Sequence, residues 1–371
     1  MFNETEYRPT RAIIDTEAIK HNAERVISYL PQRTKLIAVV KSDGYGHGAV
    51  RSALAALQAG AGMLAVATPD EAMTIRKQIQ NVDILVLGTS PSSFVKVAAE
   101  QGIVLTVTSD AWVQQVNKQP PNVKRCRVHV KIDSGMGRIG VRTETELAKL
   151  VEYINQSNHL SIDGAFTHFS RADEKDAEPT RRQFQHFMQL VSCFPEKPRI
   201  IHASNSAGTL VFPECALDAV RYGISLYGIA PSKVVEEKLP FPLRRAMTIE
   251  TELTYVKKLP AGQPLGYGGR YESTEAEWVG TLPIGYADGL KRGLTGQEVL
   301  IGGKRVPIIG TICMDQCMIK LPYEFPEGEK VVLIGKQGDE EITVEEWANR
   351  LDTIPYEIAV TFSTRIPRVY S

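Results

Sequence analysis

Several features are scarce in this chain of 371 residues, and each scarcity narrows the field. It has no uninterrupted run of about 18 apolar residues, so no membrane-spanning helix is expected. It has no net charge: Lys+Arg and Asp+Glu both number 43, so no overall field draws it to nucleic acid or to anionic membranes. Its five cysteines, Cys126, Cys193, Cys215, Cys313 and Cys317, are odd in number and lack the spacing of a disulfide framework or a zinc module. No metal site is expected. The opening stretch MFNETEYRPTR lacks the apolar core of a signal peptide, so a cytoplasmic location is expected. No low-complexity tract interrupts the chain. What is left is an ordinary globular composition, 43% hydrophobic and 23% charged, at a length suited to two domains.

Up to about residue 230, short apolar runs alternate with amphipathic segments. The runs are KLIAVV, MLAVA, DILVLG, IVLTV, RVHVKID, IDGAFTHF, IIHAS and LDAVRYG. Near-continuous apolar strands imply a sheet buried on both faces, hence parallel. Eight strand–helix repeats predict a closed α/β barrel of the TIM type, with a doubly wound open sheet as the alternative. Two helical patterns are clear. In TETELAKLVEYI, residues Leu147, Leu150, Val151 and Ile154 form one stripe, and Thr143 with Glu146 forms a capping box. In RRQFQHFMQLV, residues Phe184, Phe187, Met188 and Val191 form another. From about residue 241 the texture changes to closely spaced β signals with turns at PAGQP, IGGKR and GKQGDE, and one helix at TVEEWANRL, capped by Thr343 and Glu346. The expected division is a barrel over 1–240 and a mainly β domain over 241–371.

In a parallel barrel, functional groups collect where strands finish. The first strand ends at Lys41, followed by the glycine-rich SDGYGHG. The fifth carries Lys131 and leads to Arg138. The sixth ends at Thr167 and His168, the seventh at His202 with Asn205 and Ser206 beyond, and the eighth at Arg221, Tyr222 and Gly223. Cations and imidazoles converge with hardly a carboxylate among them. Such a mouth calls for an anion. Loops after the seventh and eighth strands commonly hold phosphate, and here SNSAG offers Ser204 and Ser206, while YGISLYG offers the Gly223 and Ile224 amides. Opposite them, the glycines around Tyr45 relieve backbone crowding. A lysine at a buried strand end beside a phosphate site suggests a Schiff base, because desolvation and neighbouring cations make its amine nucleophilic. Pyridoxal 5'-phosphate supplies both aldehyde and phosphate. Taken singly, Lys41 reads as a surface charge, His168 and His202 as hydrogen-bonded core residues, and Lys131 as a partner for Asp133. GMGRIG lacks the full spacing of a dinucleotide loop. Only the set on consecutive strand ends favours a functional reading.

Several long stretches, AVVKSDGYGHG, VKIDSGMGRIG, GAFTHFSRAD, HASNSAG, VRYGISLYG, LGYGG, WVGTLPIGYADG, GTICMDQCMI and PYEIAVTFSTRIPR, resemble the alanine racemases in sequence and in order over nearly the whole chain. The resemblance implies a pyridoxal-phosphate enzyme with a barrel and a β domain, working as a homodimer with shared active sites. It implies that Lys41 holds the cofactor and serves as one acid–base group, with Tyr267 as the other. Tyr45, Asn205, Ser206, Gly223, Ile224 and Tyr356 would bind the cofactor around its phosphate; His168 would flank its ring; Arg221, braced by His202, would face the ring nitrogen. Arg138 and the backbone of Met314 would hold the substrate carboxylate. Lys131 would be open to carbamylation, and Tyr286, Cys313 and Asp315 would support the site. Where many members carry Ala-Asn-Ala between lysine and tyrosine, this chain has Ser42-Asp43-Gly44.

The chemistry implied is physically coherent. Racemisation removes a proton from one face of the α-carbon and returns one to the other, so two groups on opposite faces are the economical arrangement. Lysine and tyrosine each titrate near 10 in solution and need cationic neighbours to work near neutrality. An arginine at the ring nitrogen cannot serve as a proton acceptor there, which limits carbanion delocalisation and suppresses transamination. Related amino-acid decarboxylases typically place a glutamate at that nitrogen, and Arg221 argues against them. The small cofactor-homeostasis proteins resemble the barrel alone, whereas this chain adds a β domain carrying Tyr267 and Tyr286. A broader alanine/serine racemase is the alternative within the same fold; Tyr286, Met314 and Tyr356 would crowd the side-chain pocket and favour small groups. Supply of D-alanine for peptidoglycan is the expected role.

Overall fold

The computed structural model describes residues 7–120 and 124–371; the first six residues of the polar opening stretch lie outside them. The chain divides into two units. One is Glu17–Arg245, and the other joins the residues up to Thr16 to Ala246–Ser371.

In the first unit, parallel strands run over Lys35–Val39, Met63–Val66, Ile84–Val86, Ile103–Val107, Cys126–Lys131, Leu160–Phe166, Ile200–His202 and Ala219–Tyr222. Each pairs with the next, and the last pairs with the first, Lys35 opposite Ala219. The barrel is closed, and its strands are the eight apolar runs of the sequence. Met63–Val66 and Ile103–Val107 are buried at every residue, as strands covered on both faces must be. The pairing of the fifth and sixth strands has one irregularity. Val128 of the fifth strand lies opposite Ile162, but His129 lies opposite Gly164, so Asp163 is left over as a bulge.

The helix Glu144–Gln156 buries Leu147, Leu150, Val151 and Ile154, and Thr143 and Glu146 close its capping box. The helix Glu178–Ser192 is turned relative to the stripe read from the sequence: it buries Thr180, Gln183, Phe187, Leu190 and Val191, while Phe184 and Met188 are only half-buried. The cause is Gln183. Its side-chain oxygen accepts from Ser170 N and Ser170 Oγ, both at 3.0 Å, and its amide nitrogen donates to His168 O at 3.4 Å. A polar group satisfied three times can be buried at little cost.

The second unit is mainly β, built on a ten-stranded sheet. Its strand Arg11–Ile14 runs antiparallel to Met247–Glu252 and parallel to Arg368–Tyr370. Beyond that pairing, Ser371 N donates to Ile14 O and Thr16 N donates to Ser371 O, each at 3.0 Å. The helix Val344–Arg350 has the expected Thr343–Glu346 box. A second short helix, Pro355–Thr361, carries Tyr356. No helix among the described residues is long and apolar enough to cross a membrane.

Candidate active site

The first barrel strand delivers Lys41 into a turn of unusual hand. Ser42, Asp43, Gly44 and Tyr45 have φ of 52°, 50°, 62° and 52°, four successive residues in the left-handed region. Each non-glycine residue there costs about 1–2 kcal/mol. The neighbours hold the turn in place: Ala49 N donates to Asp43 Oδ1 at 2.8 Å, and Ser42 N donates to Glu71 Oε1 at 2.8 Å. A Cβ on Gly44 would lie 2.9 Å from Ser52 Oγ, so the smallest residue suits that position. The reversed hand swings Tyr45 back beneath the lysine. Lys41 Nζ stands 5.8 Å from the centre of the Tyr45 ring. The Tyr45 hydroxyl in turn reaches Gly223, where a Cβ would come within 2.6 Å of it.

The loops after the seventh and eighth strands meet at that corner. Gly223 N donates to Ser206 Oγ at 2.9 Å, and Ile224 opens the turn Ile224–Tyr227. Asn205 is committed to its own helix, accepting from Gly208 N at 2.9 Å. Arg221 is buried and anchored on several sides. One terminal nitrogen donates to His202 Nδ1 at 2.7 Å; the other donates to Thr167 O and Ala203 O, both at 2.8 Å, and lies 3.3 Å from His168 Nδ1. Its Nε–H has no protein partner among the described residues. Lys131, also buried, donates to Ile132 O at 2.8 Å. Arg138 is exposed beside them.

The electrostatics follow from this crowding. Burial, then Arg138 and Arg221, lower the Lys41 amine below its ordinary value, with Glu71 pulling the other way. Burial lowers Lys131 to about 7, helped by Arg221 and Arg138 and opposed by Asp133. Burial and the surrounding cations keep His168 neutral well below its usual value, and the same holds for His202. The mouth therefore has spare positive charge, spare donors and an amine of reduced basicity. A phosphorylated aldehyde fits this donor set: an amine to condense with, a glycine-lined corner for the phosphate, and an unpaired guanidinium N–H for a ring nitrogen.

The second unit gathers the remaining residues. Tyr267, Tyr286 and Met314 are 73%, 43% and 53% exposed. Thr311 Oγ1 donates to Tyr267 O at 3.0 Å. Tyr286 N donates to Cys313 O and Ala287 N to Met314 O, each at 3.0 Å, which ties the YAD turn to the CMD loop. Asp315 pairs with Arg365 at 2.7 Å. Four supporting residues escaped the sequence reading: Glu71, Gln183, His129 and Asp163. Only Glu71 had a local signal, the capping box it forms with Thr68.

A closed eight-stranded parallel barrel followed by a mainly β unit is the architecture of the barrel racemases. The sequence pattern of the alanine racemase N-terminal domain matches residues 14–231, and that of the alanine racemase C-terminal domain matches 246–370. The chain belongs to the alanine racemase family, whose members depend on pyridoxal phosphate. An alanine racemase from Geobacillus stearothermophilus is 43% identical over 98% of this chain and 94% of that protein. One from Latilactobacillus sakei is 45% identical over 98% and 97%. A solved alanine racemase from Bacillus anthracis with bound L-Ala-P superposes with a TM-score of 0.96 at 41% identity, covering 98% of this chain and 95% of that one. The activity is interconversion of L-alanine and D-alanine.

Proposed function

We propose that the barrel mouth binds pyridoxal 5'-phosphate on Lys41 and that Lys41 and Tyr267 are the two proton-transferring groups of the reaction. The observation that carries this is the Lys41 amine, made less basic by burial and by Arg138 and held over Tyr45 by the left-handed turn. When bound, the cofactor supplies a conjugated ring that stabilises negative charge at the substrate α-carbon. Tyr45, Ser206 and the amides of Gly223 and Ile224 hold its phosphate, and Tyr356 of the short helix Pro355–Thr361 is assigned to it as well. Asn205 supports that corner by capping the Ser206 helix. Arg221 offers Nε–H to the ring nitrogen without giving up its own proton. His168, neutral, packs against the ring.

Arg138 orients the substrate carboxylate, joined by the Met314 amide and by Tyr286, Cys313 and Asp315 of the β unit that the partner subunit contributes. Lys131 is substantially neutral near pH 7, the state in which an amine adds carbon dioxide with loss of a proton. The resulting carbamate orients Arg138 by a charge-assisted hydrogen bond. Lys41 moves the α-proton on one face, and Tyr267 moves it on the other. The exposure of Tyr267 supports placing it at an interface, so Tyr267 of the partner subunit faces each lysine in a cytoplasmic homodimer that supplies D-alanine for peptidoglycan. Borohydride reduction of the yellow holoenzyme should fix the cofactor on the peptide containing Lys41. A label on any other lysine overturns the assignment.

A further inference from the structure

Beneath Arg221 a line of polar side chains runs through the barrel interior. His202 Nδ1 lies 2.7 Å from the arginine, and His202 Nε2 lies 2.9 Å from His129 Nδ1. His129 Nε2 lies 3.5 Å from Asp163 Oδ2, long for a hydrogen bond, and no other acceptor comes closer among the described residues. Asp163 is in turn gripped by Arg199, Nε to Oδ1 at 2.7 Å and Nη2 to Oδ2 at 2.8 Å. Both imidazoles are fully buried, and His202 is stacked flat on Phe166 at 4.9 Å.

The two ends of this line determine the protons between them. Arginine only donates, so His202 Nδ1 must be the unprotonated nitrogen and Nε2 carries the hydrogen. His129 Nδ1 must then accept, which leaves its hydrogen on Nε2, facing a carboxylate that only accepts. Both bonds point the same way, from Arg221 down to His129, and the last N–H faces the Asp163 carboxylate at 3.5 Å. The fold makes room for this arrangement twice. Asp163 is the bulged residue of the fifth-to-sixth strand pairing, a device that re-aims a side chain. The next residue is Gly164, where a Cβ would sit 2.6 Å from His129 Nε2.

We infer that His129 and Asp163 are positioning residues for the racemase. By fixing the tautomer of His202, they hold the Arg221 guanidinium in the orientation that meets the cofactor ring. The inference rests on the reading that Arg221 faces that ring. Without the carboxylate, the His129 Nε2–H loses the acceptor it faces. The preference for the tautomer that leaves His202 Nδ1 free to accept from Arg221 is then weakened, although Thr167 O and Ala203 O still hold the other guanidinium nitrogen. Burial keeps both imidazoles neutral, as the chain requires.

Nitrogen-15 spectra of histidine-labelled holoenzyme read the tautomers directly. His129 and His202 should each show an unprotonated Nδ1 and a protonated Nε2. Asp163→Asn should shift the visible absorption of the bound cofactor and lower kcat about tenfold with KM within about twofold. Gly164→Ala, which displaces His129 without altering any charge, should shift the spectrum in the same direction. Asp110→Asn removes a carboxylate that pairs with Lys149 and touches no member of the line, and should leave the spectrum unchanged. A cationic or Nδ1-protonated His202 overturns the inference, as does an Asp110→Asn effect equal to that of Asp163→Asn. A wild-type protein with no visible cofactor band would instead overturn the cofactor reading, while the histidine tautomers would still test the proton assignment.

Discussion

Lys131 is a buried amine lowered to about 7, surrounded by Arg221 and Arg138 with Asp133 as its nearest counter-charge. The amine donates to Ile132 O; under the proposal a carbamate there would supply the anion that the arginines lack. Lys131→Ala should therefore cost about 1.5–3 kcal/mol in kcat/KM, roughly tenfold to hundredfold. Added acetate should restore part of it, because a small carboxylate can occupy the vacated space. Full activity of the variant without additive would remove the carbamate from the account. At this scale the sequence was informative about position where a polar residue stands at the end of an apolar run, as with Lys41, Arg221 and His202, all found at barrel-strand ends. It was silent on His129 and Asp163. A histidine and an aspartate inside apolar strands give no local pattern, and their pairing depends on a one-residue slip between two strands.

The turn after the first barrel strand is the element on which the site depends. Asp43 suits its place twice over: aspartate tolerates the left-handed region, and its carboxylate accepts from Ala49 N. Asp43→Asn should alter unfolding free energy by less than about 0.5 kcal/mol, whereas Asp43→Val should lose about 2–3 kcal/mol, the sum of a strained φ and a lost cap. Urea denaturation of the two variants measures the difference; equal values would show that the turn is not under strain. The permissive SDGYGHG sequence signalled an unusual backbone without giving its hand. Strand identity was legible throughout the barrel because strands buried on both faces have few polar residues to blur them. The helix Pro355–Thr361 was not, since its seven residues are too few to establish a period. The face of Glu178–Ser192 was misjudged because a satisfied glutamine behaves as a core residue.

For the whole molecule, two behaviours follow. If the active sites are shared, Lys41→Ala and Tyr267→Phe homodimers should each be nearly inactive, and random exchange between them should recover roughly a quarter of wild-type activity. No recovery under proven exchange would place both groups in one chain. Stability should also climb with pH. His129, His168 and His202 have lowered values in the folded state, so the unfolded chain takes up protons first as pH falls below about 6.5 and stability drops. The depressed carboxyls of Asp83, Asp163 and Asp288 act in the same sense, through loss of stability at lower pH still. Thermal midpoints should rise from about pH 5 to about pH 8, and a flat profile would mean that these groups titrate normally in the fold. The strand Arg11–Ile14, finally, sets a timetable for synthesis. It leaves the ribosome before the barrel, yet its partners are Met247–Glu252 and Arg368–Tyr370. At 5–20 residues per second it waits on the order of tens of seconds, time enough for the intervening barrel to fold in between. Arg368–Tyr370 is translated after the strand it pairs with, and a ribosome that stalls before Arg368 leaves Arg11–Ile14 with one of its two partners missing.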